Sequence, residues 1–377
     1  MFAALIVPAP GSGLSMFQIK TLGLALVAAA GIVALVPNVW IRALVVWAAC
    51  LTAVTRTDAA YLAFGMMLAW CVVYVVASRC DDVAWRTVRW GITVGALLIV
   101  TWMACQAVTI DPLRPLGEAW TLHAMGYGGK KLPGVPPPVQ GPFGNAMDAA
   151  LVLGLSLPAV AVTLPWALPV IGVMMLVYLK ATAGAVCLMI VAGWLAWRRS
   201  RRAAWIGAAL LSAFAIVHVT WIDPQGLGGR PATWLYAVVM IAAKPLTGWG
   251  LNVLGNTLYL VDPKINEHWG FLFNEYLQIS VELGLPALLL VVIYMTTTFR
   301  VLKGRQWGEL APAVLALAIT SAFSIPFRIG PTALLAALYL GRLHAVITAS
   351  DVATASSVCT VYPTDKLKPG KEYKPNA

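Results

Sequence analysis

The sequence predicts an all-α polytopic membrane protein, with about 11–12 transmembrane helices and a large outer loop that contains short helices. Three observations carry this fold class. The chain is 60% hydrophobic and only 11% charged, with a mean hydropathy of +0.81, which is more apolar surface than a water-soluble fold can hide. Apolar runs of about 16–20 residues recur, each close to the length that crosses a ~30 Å hydrocarbon core. No ~10-residue alternating pattern of a membrane barrel is present, and backbone in lipid must satisfy its own hydrogen bonds, so the spans are helices.

In chain order the spans read at about 17–36, 39–55, 59–78, 90–109, 146–163, 165–179, 183–197, 203–221, 285–302, 310–327 and 331–348. Short basic loops orient them. Arg198, Arg199, Arg201 and Arg202 form the strongest inner-side marker, followed by the loop with Arg79, Arg86 and Arg89 and the loop with Arg300 and Arg305. All three fall on one side when the eleven spans are counted through. Residues 1–348 therefore read as a single transmembrane domain with two long outer loops, 111–144 and 222–284. Residues 349–377, with Lys366, Lys368, Lys371 and Lys374, read as a disordered, basic cytoplasmic tail.

The net charge of +11 fits inner loops and phosphate-rich lipid neighbours. It does not fit nucleic acid, because the cations are split between two faces and no motif of a known reader is present. Six cysteines, at 50, 71, 80, 105, 187 and 359, form no CxxC pair, which argues against a zinc site and a disulfide framework. The opening residues 1–14, broken by Pro8, Pro10 and Gly11, do not read as a cleavable signal peptide, and Met16 is an alternative start.

The first outer loop is rich in proline and glycine and ends in Gly141-Pro142-Phe143-Gly144-Asn145 just before a span. Such composition forces a shaped coil rather than a helix. Asn145 is a candidate helix cap and, equally, a candidate binding residue. Arg114, Lys130, Lys131, Lys180, Arg230, Lys244, Lys264 and Arg328 all fall on the outer side, against the usual orientation bias. That excess suggests an anionic ligand, and phosphate fits best.

The rest of the chain is organised around 228–286. Pro231, in a first turn, opens an apolar helix of about 13 residues that ends at Lys244-Pro245, too short to span and so interfacial or re-entrant. Arg230 stands at its start, where a rigid guanidinium fork and free helix N–H groups suit phosphate oxygens, and Trp234 follows one turn on. Gly248-Trp249-Gly250 turns the chain, and an irregular segment with His268 follows. Asn274 then reads as a cap, and Glu275, Gln278 and Glu282 form a polar stripe opposite Tyr276, Leu277, Val281 and Leu283. Gly284 and Pro286 read as the stop.

These elements resemble the O-antigen ligase and O-antigen polymerase superfamily over roughly 142–342. The resemblance rests on Gly141-Pro142-Phe143-Gly144-Asn145, Arg230 with Trp234, Pro245-Leu246-Thr247-Gly248-Trp249-Gly250, Asn274-Glu275-Tyr276-Leu277-Gln278 and Glu282-Leu283-Gly284. It implies a multi-pass protein of the bacterial inner membrane with a periplasmic active face. It further implies transfer of glycan from undecaprenyl pyrophosphate to lipid A–core or to another lipid-linked glycan, without metal or cofactor.

By that resemblance Arg230 holds donor pyrophosphate. Lys180, Asn145, Trp234, Asn274, Gln278 and Lys244 are candidate substrate-binding residues. The family's acceptor-activating histidine directly precedes the Asn-Glu-Tyr-Leu-Gln motif, but here that position is Phe273, which accepts no proton. His268 is then the first candidate base, with Glu275 and Glu282 second. The family's Ser/Thr-x-Arg-Gly element is also altered, to Thr182-Ala183-Gly184 with only Lys180 nearby. Two other functions stay open: a non-catalytic relative that binds lipid-linked glycan or modulates a polymerase, and a lipid-linked glycan transporter. The span interiors, almost without charge, disfavour transport.

Overall fold

The computed structural model describes residues 31–55, 57–108, 146–179, 182–200, 202, 230–254, 272–302 and 308–360. Among these residues the secondary structure is helical throughout, with no strand. The helices are α1 (Val39–Thr55), α2 (Asp58–Ser78), α3 (Asp82–Ala107), α4 (Ala146–Thr163), α5 (Ala167–Val173), α6 (Thr182–Arg199), α7 (Arg230–Ala243), α8 (Glu275–Leu302), α9 (Leu310–Thr320) and α10 (Gly330–Thr360). A π-helical stretch, Met174–Leu179, continues α5. Five described helices are long and apolar enough to cross a membrane, those containing Ala60–Ser78, Asp82–Ala107, Ala146–Thr163, Glu275–Arg300 and Gly330–Ala349. The chain is an all-α polytopic membrane protein, and its outward-facing Leu62, Leu98 and Leu289 give these helices an apolar exterior.

The centre of the bundle is α4, in which every residue of 149–161 is buried. Small residues let its neighbours approach closely: a side chain at Gly154 would meet Cys187 of α6, and one at Gly184 would meet Ala150 of α4. Helices α3, α9 and α10 also pack on α4, and α2 packs along α10.

Several boundaries differ from the sequence expectation, each for a local reason. Helix α3 begins at Asp82, not near 90, because the Asp81 carboxylate accepts the Ala84 N–H at 2.7 Å and caps it. Arg86 and Arg89 are therefore helical rather than loop residues. Helix α9 ends at Thr320 rather than 327. Thr320 and Ser321 bond back to the Ala316 and Leu317 carbonyls, and Pro326 follows, so residues 321–329 make turns instead. Helix α10 continues to Thr360, past the expected end at 348, because no proline or glycine stops it. Most of span 17–36, span 203–221, the loop 111–144 and residues 361–377 lie outside the described residues.

The two ends of the bundle carry separate polar clusters. At one end Arg89 pairs with Glu309 at 3.0 Å, and the Trp85 indole donates to the same carboxylate oxygen at 3.0 Å. Arg342 pairs there with Asp82 and donates to the Cys80 carbonyl at 2.5 Å. From Glu309, α9 rises about 16 Å to the other end, where the Ser321 carbonyl accepts the Glu275 N–H at 2.8 Å. That second end holds Asn274 and the Glu275, Gln278 and Glu282 stripe that the sequence singled out.

The expected stop at Gly284 is present as a break within α8, where Gly284 adopts φ 81° and ψ 173°. This region of backbone space is essentially open to glycine alone. Pro286 brings no N–H for the Glu282 carbonyl. The freed groups are taken up from outside the helix. Trp249 N donates to Val281 O at 2.8 Å and Gly250 N to Glu282 O at 2.9 Å, while Leu285 N donates to Pro245 O at 2.8 Å. The Trp47 indole of α1 donates to Leu283 O at 2.8 Å. This close docking explains Gly248, whose Cβ would sit 2.5 Å from Glu282 O.

Replacing Gly284 with alanine combines a forbidden backbone region with a clash on the Leu246 carbonyl. It should cost upwards of about 2 kcal/mol. The expected result is a clear loss of thermal stability of the detergent-solubilised protein, read by intrinsic tryptophan fluorescence.

Candidate functional site

The Pro245–Gly250 docking fixes the end of α7 against the first part of α8. Beneath them lies a small apolar cluster of Ala237, Met240, Leu254, Leu272 and Val281, with Trp234, Tyr236 and Trp249 packed against it. Helix α7 itself runs Arg230–Ala243, close to the expected short helix. Two indole-to-carbonyl bonds tie it to neighbouring segments, one given and one received. The Trp234 indole donates to the Leu272 carbonyl at 2.7 Å, and the Trp249 indole donates to Met240 O at 2.9 Å. The Lys244 ammonium lies 4.1 Å from the Trp249 ring centroid, a cation–π contact at the end of α7.

Asn274 caps α8 as expected: its side chain accepts the Leu277 N–H at 3.0 Å, and its carbonyl accepts Gln278 N at 2.9 Å. Just before it, Leu272 is clamped on both sides. Its N–H donates to Gln278 Oε1 at 3.0 Å, and its carbonyl takes the Trp234 indole. Phe273, between clamp and cap, is held at φ 51°. Positive φ is uncommon for a bulky residue and persists only where its surroundings impose it.

The polar stripe of α8 does not face water. Glu282 and Gln278 have no exposed surface, and Glu275 is 2% exposed. Gln278 Nε2 donates to Glu282 Oε1 at 2.7 Å. The other oxygen of Glu282 meets the Arg328 guanidinium at 2.5 Å, and Glu275 accepts from Phe327 N at 2.9 Å while its second oxygen lies 3.7 Å from Arg328. Burial alone would lower the Arg328 pKa, but the Glu282 and Glu275 charges outweigh it and the net shift is upward. Both carboxylates proposed from the sequence as secondary bases are thus occupied by structural partners.

Arg328 entered the sequence analysis only as one of eight outer cations. What it meets was not legible, because 46 residues separate it from Glu282 and no local spacing links the two. The available signal was the requirement that two apolar-helix carboxylates find a cation.

The structure brings together Trp234, Asn274, Glu275, Gln278 and Glu282, with Lys244 at the far end of the same helix as Trp234. Arg230 begins α7, one turn from the Trp234–Leu272 bond, and its side chain lies outside the described residues, as do His268, Lys180 and Asn145. Among the described residues no group of His, Cys, Asp and Glu side chains could hold a metal ion.

The ion cluster predicts a large penalty for losing one partner. Glu282→Ala leaves the buried Arg328 charge with only Glu275, at 3.7 Å, and should destabilise by about 3 kcal/mol, measured as a drop in thermal stability. A change limited to a few tenths of a kcal/mol would show that water reaches and solvates the pair.

No curated protein matches the chain, and no solved structure matches it. A family model described as O-antigen ligase matches residues 164–292, about a third of the chain, and that segment encloses Arg230, Trp234, the 245–250 turn and the Asn274–Glu282 stripe. The stretch that carries the described site is thus the stretch that the O-antigen ligase family model matches.

Proposed function

We propose that the protein is a membrane glycosyltransferase of the O-antigen ligase or polymerase type. It moves glycan from undecaprenyl pyrophosphate to lipid A–core or to another lipid-linked glycan, at the periplasmic face of the bacterial inner membrane. The observation that carries this reading is the Trp234–Leu272 hydrogen bond. It sets the residue before Asn274, where the family has its acceptor-activating group, beside the first turn of the helix that begins with Arg230. The match of 164–292 to the O-antigen ligase family supports the same class of chemistry.

In this reading Arg230 grips the donor pyrophosphate through its planar guanidinium, and Lys180 adds charge. The acceptor hydroxyl oxygen attacks the anomeric carbon of the donor glycan. The bond from that carbon to the pyrophosphate oxygen breaks, and undecaprenyl pyrophosphate leaves with the electron pair. The hydroxyl proton passes to a base. Phe273 cannot take it, and Glu275 and Glu282 are already engaged, which leaves His268 as the first base. Asn274 and Gln278 hold the backbone on which the acceptor side of the site is built.

Phe273 favours a second reading, a protein that binds lipid-linked glycan without transferring it. Purified protein in nanodiscs, given an undecaprenyl-pyrophosphate glycan and each acceptor in turn, separates the two. Transfer by the wild type is expected, and the acceptor that works distinguishes ligase from polymerase. Arg230→Ala should lower transfer by roughly 10²–10³-fold, and His268→Ala by at least about 10²-fold. Donor binding without transfer, with transfer gained by Phe273→His, would establish the binding protein instead.

A further inference from the structure

Four contacts join end to end across this site. The Arg328 guanidinium meets Glu282 Oε2 at 2.5 Å, and Glu282 Oε1 accepts from Gln278 Nε2 at 2.7 Å. Gln278 Oε1 accepts from Leu272 N at 3.0 Å, and Leu272 O accepts from the Trp234 indole at 2.7 Å. The line starts in the turns between α9 and α10 and ends in the first part of α7. Each link constrains the next. Glu282 can accept from Gln278 only with the amide nitrogen turned toward it, which leaves the amide oxygen facing Leu272 N. Arg328, by fixing the carboxylate, fixes that orientation.

We infer that Arg328 is a positioning residue: through Glu282 and Gln278 it holds the backbone at 272–273 against the helix that begins with Arg230. Its side chain is only 16% exposed and its guanidinium is taken by two carboxylates, so it acts through them and does not contact substrate. The assignment rests on the transferase reading, because what it positions is the acceptor side of the site relative to the pyrophosphate arginine. A displacement of about 1 Å between two such halves is enough to cost ~10²-fold in rate.

The bland alternative is a buried ion pair that only stabilises the bundle. The two differ at one amide. In the relay, the Leu272 N–H is protected from hydrogen exchange by an acceptor whose orientation depends on Arg328, although Leu272 touches neither Arg328 nor Glu282 in the contacts above.

The test is amide hydrogen exchange by mass spectrometry on the full-length protein in nanodiscs, for Arg328→Gln, Glu282→Gln and Gln278→Leu beside the wild type. Exchange at Leu272 should quicken by about tenfold or more in all three, with α10 amides unchanged. Arg328→Lys, which keeps a charge on Glu282, should recover most of the protection. In transfer assays per folded protein, kcat should fall by about 10²-fold while donor binding stays within a fewfold of wild type.

Unchanged exchange at Leu272 in Arg328→Gln and Glu282→Gln overturns the inference. Uniform acceleration over the whole protein overturns it too, in favour of a purely stabilising pair. Should Arg328→Gln fail to fold, Glu282→Gln carries the same comparison. A wild type that neither binds nor transfers donor glycan, with Leu272 responding as expected, overturns the transferase reading and leaves the relay standing.

Discussion

A helix interrupted at Gly284 leaves carbonyls that must be satisfied where water is scarce, and the arrangement around the candidate site follows from how this is done. Val281, Glu282 and Leu283 receive their donors from Trp249, Gly250 and Trp47, while Leu285 gives its own to Pro245. Each unsatisfied group would cost of the order of 1–3 kcal/mol, so the turn at 245–250 and the break in α8 are held as one unit. That unit sets the end of α7, and α7 in turn sets the helix start that carries Arg230. Gly248 of the Pro245-Leu246-Thr247-Gly248-Trp249-Gly250 motif is there because backbone meets backbone at this junction, and Gly250 because a side chain would meet Thr55 of α1.

The ionised groups at the same end obey a different logic. Two carboxylates and one guanidinium, nearly removed from solvent, do not by themselves argue for stability, since desolvation offsets most of the attraction. Their value lies in direction. A carboxylate with both oxygens committed can orient an amide, and an oriented amide can hold one backbone N–H. The cluster at the opposite end, Arg89–Glu309 and Arg342–Asp82, joins three helices but reaches no segment matched to a family motif at 228–286. Similar chemistry thus fastens the bundle at one end and shapes a site at the other.

Phe273 sits where these constraints converge. Its backbone is left-handed because the residue before it is clamped through both N–H and carbonyl and the residue after it is a helix cap. The conformation therefore belongs to the position rather than to phenylalanine. The same backbone would present any side chain placed there in the same direction. Substitution at this one position would change the side chain presented without redrawing the hydrogen bonds that hold Leu272 and Asn274.

Most of the architecture was legible in the sequence because lipid imposes length and polarity rules that act locally. The helices at 39–55 and 146–163, the short helix at 230–243, the Asn274 cap and the interruption at Gly284 all follow from apolar run length, proline, glycine and capping residues. The local rules gave way where side chains rather than run length decide: Asp81 started α3 early, and Thr320, Ser321 and Pro326 ended α9 early. The stripe of Glu275, Gln278 and Glu282 was visible as helical spacing, but whether it faced water, substrate or protein was not. That was decided by Arg328, brought from another segment by the packing of α9 and α10 on α4. Spacing along one helix can show that polar groups share a face; only the tertiary structure decides what that face meets, because the partner is chosen by contacts distant in the chain.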